Sequence, residues 1–421
     1  MQEKALILSQ IAKDHGITEL EVDMMEYSPL LADLSNYIHN YKGWFQERLD
    51  ISLQDGGWGP HSQVFNLPVG IVAVFGSRKA EFANLMRPLV GCIATGNYAL
   101  LIPHLKKDFQ KSNTLKMIEY VVEKYLDPRR VYISKASLEV AQLNELFLKN
   151  SVNMVFNSKT NEDESRTLAE LAVKLDCPYV WNKAGHNIAI VDRCADQAEC
   201  VKLLTQYKFY KSGQDSHNLD AIYVHRSIYE EFLIKIKQSV FESFGNSNSQ
   251  ELAYGQIYNE QGLESIVSQV NGPHGGLLET ELFVDRERLL VNPVIVKDPL
   301  NTSDLMSKKI LGPILPVCTF ENIEEVVPLI NSREHVDSLF YFGQAEHIFE
   351  ELQSCLKFNK IYYNCTNKMV PSALHPNFGK HATPHTATNG QHSYKTFTRQ
   401  KLFTVGNKPM YSISRSNPPV I

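Results

Sequence analysis

Residues 68–75 read Pro68-Val-Gly-Ile-Val-Ala-Val-Phe75, a nearly continuous run of apolar and mostly β-branched side chains. Such a run is typical of a strand that is buried on both faces of a parallel sheet. Similar short runs follow at 98–102, 131–134 and 152–156, with segments of helical spacing between them. The alternation predicts a doubly wound parallel sheet of the nucleotide-binding kind, to which 188–191 adds a further strand.

The C-terminal half repeats this alternation and predicts a second α/β domain that begins near residue 187. Helical spacing recurs at 197–210, 227–244, 322–331 and 345–356, and strand-like runs recur at 221–224, 314–320, 338–342 and 360–364. Residues 371–393 are rich in His, Pro, Thr, Asn and Gly, which predicts a loop. A strand is predicted at 395–405, followed by a loose C-terminal tail over 406–421.

The composition excludes several broad classes of protein. The chain has 421 residues, of which 43% are hydrophobic and 21% are charged, a balance typical of a globular protein. No apolar run approaches the ~18 residues that a membrane-spanning helix needs. The formal net charge is −5 and there is no basic tract, so neither a nucleic-acid partner nor an anionic lipid surface is favoured.

The cysteines bear on the cellular compartment. There are seven of them, an odd number, and they are scattered without a Cys-x-x-Cys pair. This pattern is typical of reduced intracellular thiols rather than of a disulfide framework. The first ten residues also lack the features of a secretory signal. We therefore expect a soluble protein of the cytoplasm or of another intracellular compartment.

Four further blocks carry a family resemblance. They are Arg87-Pro-Leu-Val-Gly-Cys-Ile-Ala-Thr-Gly-Asn97, Tyr254-Gly-Gln-Ile-Tyr-Asn259, Ile310-Leu-Gly-Pro-Ile-Leu-Pro-Val317 and Ile330-Asn-Ser-Arg333. Each block is short, but their shared order and spacing, together with the strand at 68–75, extend through most of the chain. In this respect the sequence resembles the aldehyde dehydrogenase superfamily, most closely its class 3-like branch.

The resemblance implies a fold with three parts. Residues 1–60 and 68–186 would form a Rossmann-type cofactor domain, and 187–370 an α/β domain of the catalytic type. Strands at 61–67 and 395–405 would form a small β oligomerisation element. The resemblance therefore implies a homodimer, or a hetero-oligomer with a related subunit.

The resemblance also implies a thiol reaction, and this chain departs from it at the reacting positions. In the family a cysteine thiolate adds to the aldehyde, hydride leaves to NAD(P), and a glutamate activates water for release of the acid. The nucleophile position is Ser216 in Gly213-Gln214-Asp215-Ser216, and the general-base position is Asn182. The position of the oxyanion-donating asparagine is Lys79. A serine hydroxyl is a poor nucleophile without a dedicated base, and an asparagine accepts no proton at neutral pH.

The positions that would face the cofactor are changed as well. Ile102 replaces the lysine of the adenosine ribose site, and Lys309 replaces the glutamate of the nicotinamide ribose site. Asn157 and Ser158 stand in the turn that would face the cofactor phosphates, where the family glycine is absent. We therefore expect no bound cofactor, with NAD or NADP as the cofactor only if the chain is an active enzyme.

These departures favour a pseudoenzyme: a catalytically inactive aldehyde dehydrogenase homologue that acts as a structural or regulatory subunit. Two alternatives stay open, a residual NAD(P)-dependent aldehyde oxidoreductase and a small-anion-binding protein with a remodelled cleft. The second alternative depends on five lysines that the resemblance places around the cleft, at positions 79, 159, 183, 308 and 309. The neighbours Ser216 and His217 also raise a serine hydrolase, but adjacent side chains of an extended segment point to opposite faces.

A metal site is not expected. Four histidines lie close together in the predicted C-terminal loop, at positions 375, 381, 385 and 392. Their spacings of six, four and seven residues do not match a ligand set, and no nearby cysteine supports one.

Overall fold

The structure is a computed structural model, and it describes residues 3–46, 49–51, 61–77, 80–103, 112–134, 140–158, 162–245, 255–367, 376–377 and 386–405. Within these residues the strands, in chain order, are β1 (Leu49–Ile51), β2 (His61–Pro68), β3 (Ile71–Phe75), β4 (Tyr98–Ile102), β5 (Val131–Ile133), β6 (Met154–Asn157), β7 (Tyr179–Trp181), β8 (His186–Val191), β9 (Ala221–His225), β10 (Leu277–Leu278), β11 (Val284–Asp285), β12 (Leu290–Val291), β13 (Val294–Lys297), β14 (Ile314–Phe320), β15 (Val336–Phe342), β16 (Lys360–Tyr363) and β17 (Thr398–Val405).

The α-helices of the same residues are α1 (Lys4–His15), α2 (Glu19–Val22), α3 (Ser28–Gln46), α4 (Glu81–Ala94), α5 (Asn113–Tyr125), α6 (Val140–Asn150), α7 (Glu162–Lys174), α8 (Gln197–Phe209), α9 (Tyr229–Phe244), α10 (Glu260–Asn271), α11 (Asp304–Ser307), α12 (Ile323–Asn331), α13 (Glu346–Cys355) and α14 (Gly390–Thr396). Local side chains fix several of their starts. Ser112 caps α5 by accepting a hydrogen bond from the Leu115 amide at 2.9 Å, and Asn259 caps α10 through the Gly262 amide at 2.7 Å.

The first predicted sheet is present as five parallel strands in the order β5-β4-β3-β6-β7. Its central strand, β3, lies within the β-branched run at residues 68–75. The side chains of Val72, Ala73 and Val74 are fully buried because helices cover both faces of the sheet. The strand has β4 on one side and β6 on the other, so the chain reverses direction across the sheet at this point. A doubly wound sheet opens a crevice at such a position.

The second sheet has seven strands in the order β10-β13-β14-β9-β8-β15-β16, of which β10 pairs antiparallel and the others pair in parallel. The prediction that 188–191 extends the first sheet is wrong, because this segment is β8, near the middle of the second sheet. The last strand of the first sheet is β7, a short segment that the sequence analysis did not identify. Strand-like runs indicate burial, but they carry no information on which sheet takes the strand.

A third sheet, in the order β1-β2-β17, joins two strands that precede the first sheet to the last strand of the described chain. Strand β17 pairs antiparallel with β2 along its whole length, from Thr398 opposite Pro68 to Val405 opposite His61. The predicted strand over 395–405 begins later than expected, because α14 occupies 390–396 where a loop was predicted. Residues 368–375, 378–385 and 406–421 lie outside the described residues. The division into domains at residue 187 stays a prediction.

None of the helices in the described ranges has the length and apolar character that crossing a membrane requires. A metal site was not expected, and among the described residues no group of three or more His, Cys, Asp and Glu side chains is arranged to hold an ion. Three of the four histidines considered for such a site, His375, His381 and His385, lie outside the described residues.

Candidate active site

A cleft of about 730 Å³ opens at the carboxyl edge of the first sheet, where that sheet meets the second one. Of the seven positions predicted for catalysis or cofactor binding, five line it: Ile102, Ser158, Asn182, Ser216 and Lys309. Asn157 does not line the cleft, and Lys79 lies outside the described residues. The structure therefore brings the predicted nucleophile and general-base positions to the wall of one cavity.

The loop that leads to Ser216 has a strained backbone. Lys211, Ser212 and Gly213 follow one another with φ values of 54°, 51° and 66°, which is the left-handed region. Side chains other than glycine enter this region only at a cost of about 1–2 kcal/mol per residue. Such a conformation persists where the surrounding structure dictates it.

A buried ion pair holds the start of this loop. The Nζ of Lys211 donates to Oε1 of Glu26 at 2.7 Å, and both side chains are buried. Burial alone would raise the pKa of Glu26, but the charges of Lys211 and His15 hold it below its ordinary value. The Lys211 backbone N–H also donates to Oε1 of Glu21 at 3.2 Å. The N-terminal helices therefore fix the conformation of a loop that lies almost 200 residues later in the chain.

Gln214 fixes the next turn of the loop. Its Nε2 donates to the backbone oxygen of Gln256 at 2.8 Å, and its Oε1 accepts from the Tyr258 amide at 2.8 Å. The side chain of Asn218 donates to the backbone oxygen of Gly213 and closes the turn from the other end. Ser216 lies between these contacts, so its position in the cleft is set by the loop and not by its own side chain.

The contacts of Ser216 do not form a nucleophile and base relay. Its Oγ lies 3.3 Å from Nδ1 of His217, and Oδ1 of Asp215 lies 3.3 Å from the same nitrogen. The other ring nitrogen, Nε2, faces Oδ1 of Asn377 at 3.2 Å. A relay needs the hydroxyl and the carboxylate on opposite ring nitrogens of the histidine. One nitrogen then accepts the proton of the hydroxyl, while the N–H of the other donates to the carboxylate. Here both groups compete for Nδ1, which argues against a serine hydrolase of that type.

The general-base position holds a buried amide. Asn182 is 6% exposed, and its backbone N–H donates to the oxygen of Asn157 at 3.1 Å. All seven cysteines of the sequence are among the described residues, and none of them lines the cleft. Burial raises the pKa of the Cys92, Cys200 and Cys318 thiols, so these three are core residues and not nucleophiles.

The described lysines do not make the cleft basic as predicted. Lys309 donates to Oδ2 of Asp220 at 2.6 Å and to the backbone oxygen of Asn218 at 2.9 Å. Lys183 pairs with Glu162 at 2.5 Å and with Glu334 at 3.2 Å. Lys308 pairs with Asp304 at 2.7 Å on the surface. Each of the described lysines of that set is thus neutralised by a carboxylate, and Lys79 and Lys159 lie outside the described residues.

Asp220, beneath this wall, accepts hydrogen bonds from several groups. It is 1% exposed, and it accepts from the backbone amides of Asn187 at 2.8 Å and Ile310 at 2.9 Å, in addition to Lys309. A second lysine, Lys208, is fully buried nearby and donates to the Leu219 oxygen at 2.8 Å. Burial lowers the pKa of Lys208 to about 7, against the attraction of Asp220. The carboxylate therefore joins both lysines, β8 and the residues before β14 into one network.

His186 lies close to Asp220, and its burial leads us to predict that the stability of the protein depends on pH. Burial lowers its pKa to about 4, opposed by the charge of Asp220, 3.9 Å from Nδ1, and helped by Arg333, Lys309 and His335. The unfolded chain therefore takes up this proton first, between pH ~6.5 and pH ~4.

We expect the free energy of unfolding to fall through that window by roughly 3 kcal/mol on account of His186, and to be restored above pH ~6.5. Urea unfolding at pH 7.0 and pH 4.5 measures the fall. In His186→Gln the fall should be smaller by this amount, since the carboxylates that also titrate in the window are common to both proteins. An equal fall in the two proteins would contradict the assignment.

The residues that would meet a dinucleotide do not fit its phosphates. A pyrophosphate binds at the amino end of a helix that follows a central strand, where backbone amides and the helix dipole attract negative charge. Here α7 follows β6, and its first turn carries Glu162, Asp163 and Glu164. Two of these carboxylates, Glu162 and Glu164, line the cleft. Glu162 is paired with Lys183, so the two carboxylates together leave an excess of negative charge, which would disfavour the phosphates of NAD or NADP.

The other described positions at which the family resemblance places the cofactor likewise offer no free polar side chain to it. The Asn157 side chain is engaged below the cleft, donating to Oγ of Ser165 at 2.8 Å and to the hydroxyl of Tyr179 at 2.9 Å. The hydroxyl of Ser158 donates to Asn84 at 3.3 Å. Ile102 offers no polar atom, and Lys309 is held by Asp220.

Several residues of the cleft were missed by the sequence analysis. Glu26, Asp33 and Tyr37 come from the N-terminal helices, and Arg87 and Asn389 complete the same wall. The signal that was available is the pair Asp33 and Tyr37, one turn apart on a helix whose neighbouring face is apolar. Polar groups at this spacing interrupt a buried face and indicate a polar contact.

Comparisons with known proteins give the same fold over nearly the whole chain. A model of the aldehyde dehydrogenase family matches residues 2–403. Among solved structures, the substrate-bound state of Staphylococcus aureus AldH has a TM-score of 0.85 at 21% identity, with 99% of this chain and 89% of that chain covered. Lactaldehyde dehydrogenase from Escherichia coli has a TM-score of 0.80 at 18% identity, covering 96% and 83% of the two chains.

Curated relatives lie at similar distance in sequence. Aldehyde dehydrogenase family 3 comG of Dictyostelium discoideum is 26% identical over 88% of this chain and 77% of its own. The dimeric NADP-preferring aldehyde dehydrogenase of Rattus norvegicus is 23% identical, over 94% and 84% of the two chains. Because the family model covers the chain from its N-terminal helices to β17, this protein belongs to the aldehyde dehydrogenase family.

Proposed function

We propose that this chain keeps the cleft of an aldehyde dehydrogenase as a non-covalent binding site for a small carbonyl compound, and acts as a structural or regulatory subunit. The observation that carries the proposal is that none of its seven cysteines lines the cleft, while Ser216 stands at the nucleophile position. The thiol step of the family has no thiolate here. The cavity itself is open and polar, so binding does not depend on that step.

The chemistry of Ser216 supports the same proposal. A serine hydroxyl is hardly ionised near neutral pH. The Nδ1 of His217, which the Ser216 hydroxyl contacts, is shared with Asp215. Asn182 offers an amide where water would need a base. The oxygen of a carbonyl compound in the cleft would accept hydrogen bonds from these groups without forming a covalent bond.

The comparisons favour a second candidate, a residual NAD(P)-dependent aldehyde oxidoreductase. The curated relatives are named aldehyde dehydrogenases, and one of them is named NADP-preferring. This candidate requires that a cofactor binds in spite of Glu162 and Glu164.

Equilibrium calorimetry with NAD⁺ and NADP⁺ separates the two candidates, with an active relative as positive control. We expect no binding at 1 mM cofactor and no cofactor reduction with short aldehydes. Micromolar binding together with turnover would establish the oxidoreductase instead. Ser216→Ala then shows whether the hydroxyl takes part, since turnover that depends on Ser216 disappears in this variant. Glu162→Gln tests whether the Glu162 carboxylate repels the cofactor phosphates. If it does, this variant should bind the cofactor more tightly than the unmodified protein.

We further propose that the chain assembles as a dimer through β17. This strand is at the edge of the third sheet, and Leu402 and Phe403 are 61% and 56% exposed. Exposed edge strands offer unpaired backbone groups and are usually covered or charged. One of the curated relatives is named as dimeric.

Light scattering after gel filtration should give twice the chain mass of 47.9 kDa for the unmodified protein. The double variant Leu402→Glu with Phe403→Glu should elute as a monomer, because two charges would be desolvated in the interface. Ile234→Glu is the control, since Ile234 is 63% exposed on α9, away from this strand. A dimer that survives the double variant would contradict assembly through β17.

A further inference from the structure

The wall of the cleft contains a buried carboxylate that is only half satisfied. Asp33 of α3 is 3% exposed and lines the cleft. Its Oδ2 accepts from Nε of Arg87 at 2.8 Å and forms an ion pair with Nη2 of the same side chain, also at 2.8 Å. Its Oδ1 is buried and has no hydrogen-bond partner. The ion pair with Arg87 therefore accounts for one oxygen and leaves the other without a donor.

An unsatisfied oxygen of this kind is costly. Leaving a buried acceptor without a donor costs about 1–3 kcal/mol, and most buried polar atoms in folded proteins have a partner. The hydroxyl of Tyr37, one turn later on α3, is also buried, but it has a hydrogen-bonding contact with Ser393. Oδ1 of Asp33 is therefore the unsatisfied acceptor of this corner, and its position in a side chain that lines an open cleft favours a ligand that supplies the missing hydrogen bond.

This corner of the cleft is joined to Ser216 by one continuous wall. Arg87 Nη2 donates to Oδ1 of Asn389 at 2.7 Å. The preceding residue, Thr388, exchanges two backbone hydrogen bonds with Asn377, at 2.9 Å and 3.0 Å. Asn377 in turn contacts Nε2 of His217, the neighbour of Ser216, at 3.2 Å. Asp33 and Ser216 therefore lie on one wall of the cleft, connected by this series of contacts.

The charges of the cleft restrict the chemistry of such a ligand. Glu26 lines the cleft but is neutralised by the buried Lys211. Among the other described residues that line it, carboxylates still outnumber fixed cations: Asp33, Glu162, Glu164 and Asp215 against Arg87, Lys183 and Lys309. The three cations are paired with carboxylates. An anionic ligand would meet repulsion, whereas a group that donates a hydrogen bond would be attracted.

We propose that Asp33 is the specificity-determining residue of the cleft, and that it receives a hydrogen bond from a hydroxyl or ammonium group at the far end of the carbonyl ligand. This inference rests on the proposed function, because it takes the cleft to bind a carbonyl compound. The ligand class is a short hydroxy- or amino-substituted carbonyl compound, and neither a simple alkyl aldehyde nor a carboxylate-bearing one.

Unreactive amides of four carbons test this, because they differ only at the far end. The set is butanamide, 4-hydroxybutanamide, 4-aminobutanamide and succinamate, with affinities measured by calorimetry on the full chain. We expect the hydroxy and amino compounds to bind at least ~10-fold more tightly than butanamide, which is the size of one added hydrogen bond. Succinamate should bind more weakly than either.

Substitution of Asp33 identifies the residue responsible. In Asp33→Asn the preference for the hydroxy and amino compounds over butanamide should fall to less than ~2-fold. The matched control Asp304→Asn, on the surface at 80% side-chain exposure, should keep it. Thermal unfolding of each variant shows whether it is folded. If Asp33→Asn is unfolded, the four affinities of the unmodified chain decide the proposal.

The outcomes separate the failure of this inference from that of the proposed function. If butanamide binds the unmodified chain as tightly as the hydroxy and amino compounds, the role of Asp33 is overturned while the carbonyl-binding cleft stands. Tightest binding by succinamate would overturn the role of Asp33 in favour of an anion site. If none of the four amides binds at 10 mM, both the inference and the carbonyl-binding cleft are overturned.

Discussion

Replacing Lys211 by methionine is expected to lower the free energy of unfolding by about 3–5 kcal/mol. The substitution leaves Glu26 as a buried carboxylate without its cation, since the Lys211 Nζ is 2.7 Å from Oε1 of Glu26. It also releases a segment in which Lys211 and Ser212 are held in the left-handed region. Urea unfolding followed by circular dichroism measures the loss.

A double-substitution cycle provides the control. Most of the cost in Lys211→Met comes from the unpaired charge, so removing that charge as well should recover at least half of it. The double variant Glu26→Gln with Lys211→Met is therefore expected to be more stable than Lys211→Met alone. A double variant that is less stable than either single one would show that the pair acts through packing and not through charge.

Replacing Asp220 by asparagine is expected to cost a similar amount, about 3–5 kcal/mol. Asp220 accepts from Lys309 at 2.6 Å and from the amides of Asn187 and Ile310 at 2.8 Å and 2.9 Å. An amide offers one acceptor oxygen and no charge, so at least one donor loses its partner. The buried Lys208 and the partly buried Lys309 also lose their counter-charge. The same unfolding experiment measures the effect.

Lys309→Met is the matched comparison for Asp220. In this variant the carboxylate keeps both backbone donors and the attraction of Lys208, so the loss should be clearly smaller than in Asp220→Asn. An equal or larger loss in Lys309→Met would mean that the lysine and not the carboxylate organises the network. Both variants keep Asp33, so the affinities of the amide ligands can be measured in them by the same calorimetry.

The two ion pairs have one structural consequence. They hold the segment that carries Ser216 at both ends, Glu26 with Lys211 at its start and Asp220 with Lys309 after its end. A strained loop between two fixed points keeps one conformation. The position of Ser216 is thus determined by residues from the N-terminal helices and from the segment before β14, neither of which is close to it in sequence.

The sequence predicted much of the fold because that information is local. The β-branched run at 68–75 and its successors identify buried parallel strands, and the spacing of apolar residues identifies the helices between them. Five of the seven predicted site positions line the cleft, namely Ile102, Ser158, Asn182, Ser216 and Lys309, whereas Asn157 does not and Lys79 lies outside the described residues. The prediction for the strand at 188–191 was wrong, because local pattern does not determine which sheet a strand joins.

Residue identities alone determined that Ser216 and Asn182 stand where the family resemblance places a cysteine and a glutamate. Only the tertiary structure decided the electrostatics of the cleft. The sequence suggested a basic cavity, yet Lys183 and Lys309 are each paired with carboxylates that are distant in the chain. The half-satisfied Asp33 was also invisible in the sequence. The charge and hydrogen bonding of a site depend on which groups lie within a few ångströms of one another, and folding sets those distances by packing side chains from separate segments.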